Sequence, residues 1–312
     1  MKERGKQLNR RSHKDTDRVR EHYEKWPFPD VSFGGREGLI LMRYLNEVLN
    51  SSPSGRKRVV DVGCGTGHGT IAIARHFPEV DFVGLDLSAA SIRKAQDGAE
   101  EAGLRNIDFH QGDIRDRGSL PSDSFDLAIC AGVQHHIKDS GRAFANLVSL
   151  IRNSGTMILW LYGRYGRTRH NLNQAFLDLL TQRKSLDERE RIAVEFVNQL
   201  GQQHVVNSGF YTPHGDGTEG LNWLLAHKQW LTDQMIPPYE HCYTMREILD
   251  LFHGNGIRFD KWLGISTQLE SHTSSPLLLK EFRGLTPDEQ LLAIDYLIKP
   301  EYYFVSGTRK TS

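Results

Sequence analysis

The stretch Val59-Val60-Asp61-Val62-Gly63-Cys64-Gly65-Thr66-Gly67-His68-Gly69 decides how this chain folds. Its valines predict a short buried strand, and the alternating glycines after them predict a tight turn. Apolar residues at Ile71, Ala74 and Phe77 then predict a helix that begins directly after the turn. Glycine lets the backbone approach a ligand closely, and a helix start offers free N–H groups. This strand, turn and helix therefore predict a ligand site.

Two common phosphate-binding patterns do not fit this turn. A dinucleotide fingerprint, G-x-G-x-x-G/A, would place its last small residue at His68 when counted from Gly63, or at Thr70 when counted from Gly65. A phosphate loop needs a lysine directly after its last glycine, and here Thr70 follows Gly69. The pattern that remains is an acid two residues before three alternating glycines, D-x-G-x-G-x-G.

Strands and helices alternate on both sides of this turn. Short connections between them are typical of a doubly wound, mostly parallel sheet with right-handed crossovers. The sequence therefore predicts an α/β fold built on a seven-stranded sheet. The predicted strands are residues 58–62, 82–86, 107–110, 125–130, 156–162, 258–263 and 302–307, and the predicted helices are residues 39–49, 71–77, 89–102, 144–151, 245–252 and 276–298.

Residues 163–241 interrupt the alternation. Apolar residues at helical spacing predict three helices there, around residues 172–180, 192–200 and 221–230. We interpret this stretch as a helical cap inserted after strand five, with Pro237-Pro238-Tyr239 as a rigid loop that closes it. The predicted organisation is a basic tail and helical flap at residues 1–55, the first part of the core at 56–162, the cap at 163–241 and the last part of the core at 242–312.

Three further motifs follow predicted strands. Asp86 ends the second strand, Gly112-Asp113-Ile114 follows the third, and Ala131-Gly132-Val133-Gln134-His135-His136 follows the fourth. Together with the D-x-G-x-G-x-G turn, these motifs resemble those of the class I S-adenosylmethionine-dependent methyltransferases, which have a Rossmann-like fold. The resemblance covers about residues 58–162.

The resemblance implies S-adenosylmethionine as the cofactor and a place for each of its parts. Asp61 would lie near the methionine ammonium, and the glycine turn near the carboxylate. Asp86 would accept hydrogen bonds from the ribose hydroxyls, while Asp113 and Ile114 would contact the adenine. The implied cofactor contacts are Asp61, Gly63, Gly65, Gly67, Asp86, Leu87, Asp113, Ile114 and Ala131.

The acceptor side offers several candidates. His135 is the first candidate for a general base, because an imidazole accepts a proton near neutral pH. A purely structural role for His135 is the alternative, and Tyr162 is the second catalytic candidate. The aromatic, proline-rich segment Tyr23–Pro29 predicts a flap over the cofactor, or else packing on the sheet edge. The candidate acceptor contacts are Tyr23, Trp26, His136, His170 and His241.

The composition limits the classes of partner. The chain has 312 residues, with 39 Lys and Arg against 39 Asp and Glu, so it lacks the basic surplus typical of nucleic-acid binders. Residues 1–20 are polar and lean basic, which predicts a solvated tail. No apolar run reaches about 18 residues, and three separated cysteines and scattered histidines predict neither disulfides nor a metal site. These features favour a cytoplasmic protein with no membrane partner, make a nucleic-acid partner unlikely, and leave the oligomeric state unknown.

The function that the sequence favours is methyl transfer to an oxygen, nitrogen, carbon or sulfur atom of a small molecule. A tRNA or protein methyltransferase is one alternative. An enzyme that binds S-adenosylmethionine but catalyses another reaction is a second, and a non-catalytic binding protein is the least favoured. The acceptor's identity depends on how the side chains of the cap are arranged, which the motifs do not determine.

Overall fold

The computed structural model describes residues 17–30, 35–50, 56–116, 118–213 and 217–311. Seven strands form one sheet in the order β3-β2-β1-β4-β5-β7-β6. The strands are β1 (Arg58–Val62), β2 (Asp81–Asp86), β3 (Ile107–Gln111), β4 (Phe125–Ala131), β5 (Ile151–Tyr162), β6 (Ile257–Trp262) and β7 (Tyr302–Arg309). The helices are α1 (residues 17–25), α2 (Gly35–Asn50), α3 (His68–His76), α4 (Ala89–Glu101), α5 (Ser140–Leu150), α6 (Thr168–Thr181), α7 (Leu186–His204), α8 (Gly217–Ala226), α9 (Lys228–Met235), α10 (Met245–Gly254), α11 (Pro276–Arg283) and α12 (Pro287–Ile298).

The sheet confirms the predicted fold class. The first five strands pair in parallel, and β7 runs antiparallel between β5 and β6. Strand order reverses at β1, which lies between β2 and β4. Crevices at such a reversal, outside the carboxyl ends of the strands, are where open α/β sheets bind ligands. The glycine turn after β1 lies at this position.

Apolar side chains cover both faces of the sheet. On one face, helices α2, α3 and α4 and the cap helices pack in a continuous cluster that includes Leu45, Ile73, Ala95 and Trp230. On the other face, α5, α10 and α12 pack against the strands through residues such as Phe144. Because burial on both faces removes much apolar surface from water, the strand ends that carry the site are held rigidly.

The helices of the structure differ from the prediction in three places. The helix predicted at residues 276–298 is two helices, because Thr286 caps α12 together with Glu289, and Pro287 at the first helical position cannot continue a preceding helix. The third cap helix is also two, since His227 is extended between α8 and α9. Residues 17–20, predicted within the tail, are helical, and the rest of that tail lies outside the described residues.

Strand β5 begins earlier than predicted. It starts at Ile151, which pairs with Phe125, and not at Thr156. A shift of register separates these two stretches, and Ser154 between them has a φ of 61°. The residues directly before Thr156 therefore belong to the strand, with an irregularity between its two stretches. Among the described helices, none is long and apolar enough to cross a membrane.

Candidate active site

A cavity of about 220 Å³ lies at the carboxyl ends of the parallel strands. The turn after β1 and the residues that follow β2 and β3 form one half of its wall. The other half comes from α1, the segment after β4, the end of β5 and the cap, which we define by helices α6–α9 and the loop after α9. Eleven of the predicted site residues line this cavity: Tyr23, Asp61, Gly63, Gly65, Asp86, Leu87, Asp113, Ile114, Ala131, His136 and Tyr162.

Three carboxylates characterise the first half of the cavity. Asp61 accepts a hydrogen bond from the Thr70 hydroxyl at 2.5 Å. Asp86 accepts two backbone hydrogen bonds, from Gly65 N at 2.9 Å and from Ser88 N at 2.8 Å. Asp113 is bound by Arg115, whose Nη2 lies 2.5 Å from Oδ2. Three acids around one space oppose a phosphate and favour a ligand with hydroxyls and a positively charged end.

Burial changes how these acids ionise. Burial raises the pKa of Asp61 to about 6, although the hydrogen bond from Thr70 lowers it. Burial also raises the pKa of Asp86, against the backbone hydrogen bonds that stabilise its charged form. The pKa of Asp113 is lowered, because hydrogen bonds and charge from Arg115 outweigh the effect of its burial. A cationic group bound near Asp61 and Asp86 would therefore stabilise the ionised forms of two buried carboxyls.

The three alternating glycines of the turn provide space rather than free N–H groups, contrary to the expectation from the sequence. The amides of Gly63, Gly65 and Gly67 already donate to Leu85 O, to the Asp86 carboxylate and to Cys64 O. Gly67 does not line the cavity. Instead, a Cβ there would lie 2.7 Å from the Cβ of Ala95, so this glycine allows α3 to pack closely on α4.

The flap, residues 17–30, lies over the turn. Thr66 N donates to Phe28 O at 3.1 Å, and a Cβ at Gly65 would lie only 2.1 Å from the same oxygen. The Glu24 carboxylate accepts hydrogen bonds from the first amides of α4, from Ala89 N at 2.5 Å and from Ala90 N at 3.2 Å. This segment therefore closes one side of the cavity.

A buried polar network crosses the second half of the cavity. The Tyr23 hydroxyl donates to Asp233 Oδ1 at 2.8 Å, which joins the flap to the cap. Gln234 Nε2 donates to Asp233 Oδ2 at 3.1 Å and also to the Tyr162 hydroxyl. Arg167, which does not line the cavity, lies 3.6 Å from the centre of the Tyr162 ring. Burial raises the pKa of Asp233, against the charge of His136 and the hydrogen bond from Tyr23.

His136 has a fixed orientation within this network. Its Nδ1 lies 2.9 Å from Tyr239 O, and because a carbonyl only accepts, Nδ1 carries the proton. Its Nε2 faces Asp233 Oδ1 at 3.7 Å, beyond hydrogen-bond distance. In the neutral ring, Nε2 is therefore the basic nitrogen.

Four predicted catalytic or acceptor residues lie outside the cavity wall. His135 is fully buried against Tyr162, with ring centres 4.2 Å apart, and burial lowers its pKa well below the usual value. Trp26 is buried against His22. His170 is buried within the cap and hydrogen-bonded to Gln234 O at 2.8 Å, while His241 is partly exposed beside Glu247. The order of residues after strand four and at the cap ends did not specify which side chains turn inward.

Four cap residues in the cavity wall were not among the candidates, namely Tyr211, Trp230, Asp233 and Tyr239. In the sequence, Trp230 belongs to an apolar helical pattern and Tyr239 to a predicted loop, and neither pattern indicates a position in a cavity wall. Asp233 had no distinguishing signal, because one acid on a helix is normally solvated. In the structure it is only 3% exposed and accepts hydrogen bonds from Tyr23 and Gln234, so a buried acid in the cavity wall becomes a candidate functional residue.

Comparison with known proteins agrees with this geometry. Residues 53–195 match a family model described as a methyltransferase domain. An uncharacterised protein of Synechococcus is 28% identical over 219 residues, 67% of this chain and 50% of that protein. Trans-aconitate 2-methyltransferase of Deinococcus radiodurans is 36% identical over 115 residues, 37% of this chain and 42% of that enzyme. The structure of PKMT2 from Rickettsia typhi in complex with AdoHcy matches with a TM-score of 0.63 at 14% identity, covering 92% of this chain and 55% of that one.

Residues 53–195 match a methyltransferase domain, and the sheet order and the glycine turn agree with the class I, Rossmann-like type of this domain. The chain spans about half the length, or less, of these curated relatives. The likeness to the solved structure supports the fold.

The cavity fits the cofactor of this family. A Cβ at Gly69 would meet no atom within 4 Å, so the space beside α3 is open to a ligand. Asp61 and Asp86 provide carboxylates for an ammonium and for a ribose diol, and Ile114 provides an apolar face beside Asp113 for a purine. Within the described ranges, no three His, Cys, Asp or Glu side chains gather in a group that could hold a metal ion.

Proposed function

We propose that the protein is an S-adenosylmethionine-dependent methyltransferase that acts on a small-molecule acceptor. The observation that carries the proposal is one cavity with two chemically different halves. Three carboxylates and a glycine turn line the first half, as a nucleoside with a positively charged amino-acid end requires. Aromatic rings and a buried His–Asp pair line the second half.

The surroundings of the second half support a small acceptor. The flap and the cap meet over it through the hydrogen bond between Tyr23 and Asp233. Trp230 and Tyr162, in the same wall, are almost completely buried. A macromolecule would need this contact to open, whereas a small molecule fits within the wall.

The residues of the chain have distinct tasks in this proposal. S-adenosylmethionine supplies a methyl group on a positively charged sulfur, which is already activated for displacement. Asp61 and Asp86 bind and orient its ammonium and ribose, and Asp113 and Ile114 hold the adenine. The flap and cap exclude water and fix the acceptor in line with the methyl group, so that positioning lowers much of the barrier.

The test is transfer of a labelled methyl group. The purified protein is incubated with methyl-labelled S-adenosylmethionine and, separately, with metabolite, RNA and protein fractions of a cell extract. We expect label in a small-molecule product, and inhibition by S-adenosylhomocysteine. Asp113→Asn should lower the yield, whereas Asp108→Asn, exposed on β3, should not. Label only in RNA or protein, or in no fraction, would contradict the proposal.

A further inference from the structure

Six tyrosine and tryptophan side chains line the second half of the cavity. They come from the flap, from β5 and from three separate places in the cap, and they include stacked or edge-to-face neighbours such as Trp160 and Tyr162, with ring centres 5.1 Å apart. Flat, rigid rings favour a planar, largely apolar ligand. We call these six residues, together with Asp233 and His136, the acceptor wall: Tyr23, Trp160, Tyr162, Tyr211, Trp230 and Tyr239.

The charge of the acceptor wall opposes an anionic ligand. Asp233 is its carboxylate, and it is almost fully buried. Two cations elsewhere in the described cavity lining do not offset it, because Arg115 is bound to Asp113 and Lys138 is exposed. Arg167, behind the Tyr162 ring, pairs with Glu240 at 3.3 Å. A carboxylate bound beside Asp233 would therefore meet a buried like charge.

His136 gives the acceptor wall a proton acceptor. Its Nδ1 proton is committed to Tyr239 O, so the Nε2 lone pair is the one that meets a ligand. Asp233 lies 3.7 Å from Nε2, near enough to stabilise a positive charge on the ring but too far to occupy the nitrogen. His135, the candidate from sequence, does not line the cavity.

We propose that the acceptor wall binds a planar molecule that carries a hydroxyl group and no negative charge, and that His136 Nε2 takes the hydroxyl proton. This inference rests on the proposed function. The acceptor oxygen forms a bond to the methyl carbon, and the bond from that carbon to sulfur breaks with its electron pair left on sulfur. The proton moves to His136, where Asp233 balances its charge, and then to water. The products are a methyl ether and S-adenosylhomocysteine.

Calorimetric titration tests the charge preference. The protein is first saturated with S-adenosylhomocysteine, so that the probes meet only the acceptor wall, and is titrated with 2-naphthol and 2-naphthoate. We expect 2-naphthol to bind at least about tenfold more tightly than 2-naphthoate, because the buried Asp233 carboxylate repels a second anion. In Asp233→Asn the disadvantage of 2-naphthoate should shrink to less than about threefold, whereas Asp178→Asn, exposed on α6, should keep it.

The hydroxyl preference is tested at His136. Wild-type protein should bind 2-naphthol about five- to tenfold more tightly than naphthalene, and His136→Leu should remove this preference while its affinity for naphthalene is unchanged. Thermal unfolding of each variant confirms that it is folded. An equal preference in His136→Leu, or tighter binding of 2-naphthoate than of 2-naphthol, would overturn the inference and leave the proposed function intact. Failure of S-adenosylhomocysteine to bind would instead refute the proposed function.

Discussion

Asp86 and Asp61 are close in space but differ in the groups that donate hydrogen bonds to their carboxylates. Asp86 is engaged by two backbone amides, which fix both carboxylate oxygens at the end of β2. Asp61 is bound by one hydroxyl and is surrounded by apolar atoms and by the charge of Asp86. Asp86 is therefore oriented to accept hydrogen bonds from hydroxyls, and Asp61 is the carboxyl whose charge changes with pH.

Asp86→Asn should weaken binding of S-adenosylhomocysteine by at least about tenfold. The substitution removes the negative charge from two hydrogen bonds to the ribose, each worth about 1.5–3 kcal/mol when charged. Titration calorimetry measures the change. Asp81→Asn, at the exposed start of the same strand, serves as the control and should bind like the wild type. A loss below about threefold for Asp86→Asn would remove this residue from the site.

The affinity for S-adenosylhomocysteine should rise with pH through the titration of Asp61. Burial raises the pKa of this carboxyl to about 6 in the free protein, so it is mostly protonated at low pH and cannot attract the ligand's ammonium. Between about pH 5 and pH 7 its ionised fraction rises about tenfold, and the affinity should follow. In Asp61→Asn much of the rise should disappear. An equal rise in the variant would assign the titration to another carboxyl, such as Asp86.

At the scale of elements, the flap depends on one contact with α4. Ser88 provides the normal side-chain cap of this helix through its hydroxyl, while Glu24 reaches in from α1 to bind the amides of Ala89 and Ala90. A carboxylate at a helix N-terminus also gains from the helix dipole. The contact fixes α1 across the end of β2, beside Asp86.

Glu24→Ala should loosen the flap. We expect a loss of about 1 kcal/mol in the free energy of unfolding, because two helix amides lose their partner. Trypsin should also cleave faster after Lys25. Urea denaturation and limited proteolysis measure the two effects, and Glu21→Ala, exposed on the same helix, is the matched control. Equal cleavage in both variants would show that the flap is held by its aromatic packing alone.

At the scale of the whole molecule, a buried ion pair joins the cap to the sheet. Arg167 follows β5, is fully buried, and donates to Gly209 O at 2.9 Å and to Gln234 Oε1 at 3.2 Å, besides pairing with Glu240. Its partners belong to separate parts of the cap. One guanidinium therefore fixes several cap segments behind the acceptor wall.

Arg167→Met should destabilise the protein by about 3–5 kcal/mol, because Glu240 would remain buried without its partner. Urea denaturation measures the loss. The double variant Arg167→Met/Glu240→Gln should recover part of it, since no unpaired charge remains. The control is Arg258→Met, whose pair with Asp260 is exposed and should contribute less than about 1 kcal/mol. A similar loss in both arginine variants would contradict this role.

Local patterns in the amino-acid sequence predict the sheet and the carboxylate-lined half of the cavity. The hydrophobic alternation and the glycine turn are local patterns, and in a parallel sheet the carboxyl ends of strands meet at one edge. Asp61, Asp86 and Asp113 therefore lie around one cavity, as the positions of the strands predict.

Which side chains line the acceptor half of the cavity depends on tertiary packing. Whether His135 or His136 faces the cavity depends on how the 3-10 turn after β4 packs under Tyr162. Asp233 reaches Tyr23 across 210 positions of chain, a contact that depends on how the cap folds back onto the flap. Side-chain direction at the end of an element and contacts between distant segments are set by packing of the whole core, and no local periodicity encodes them.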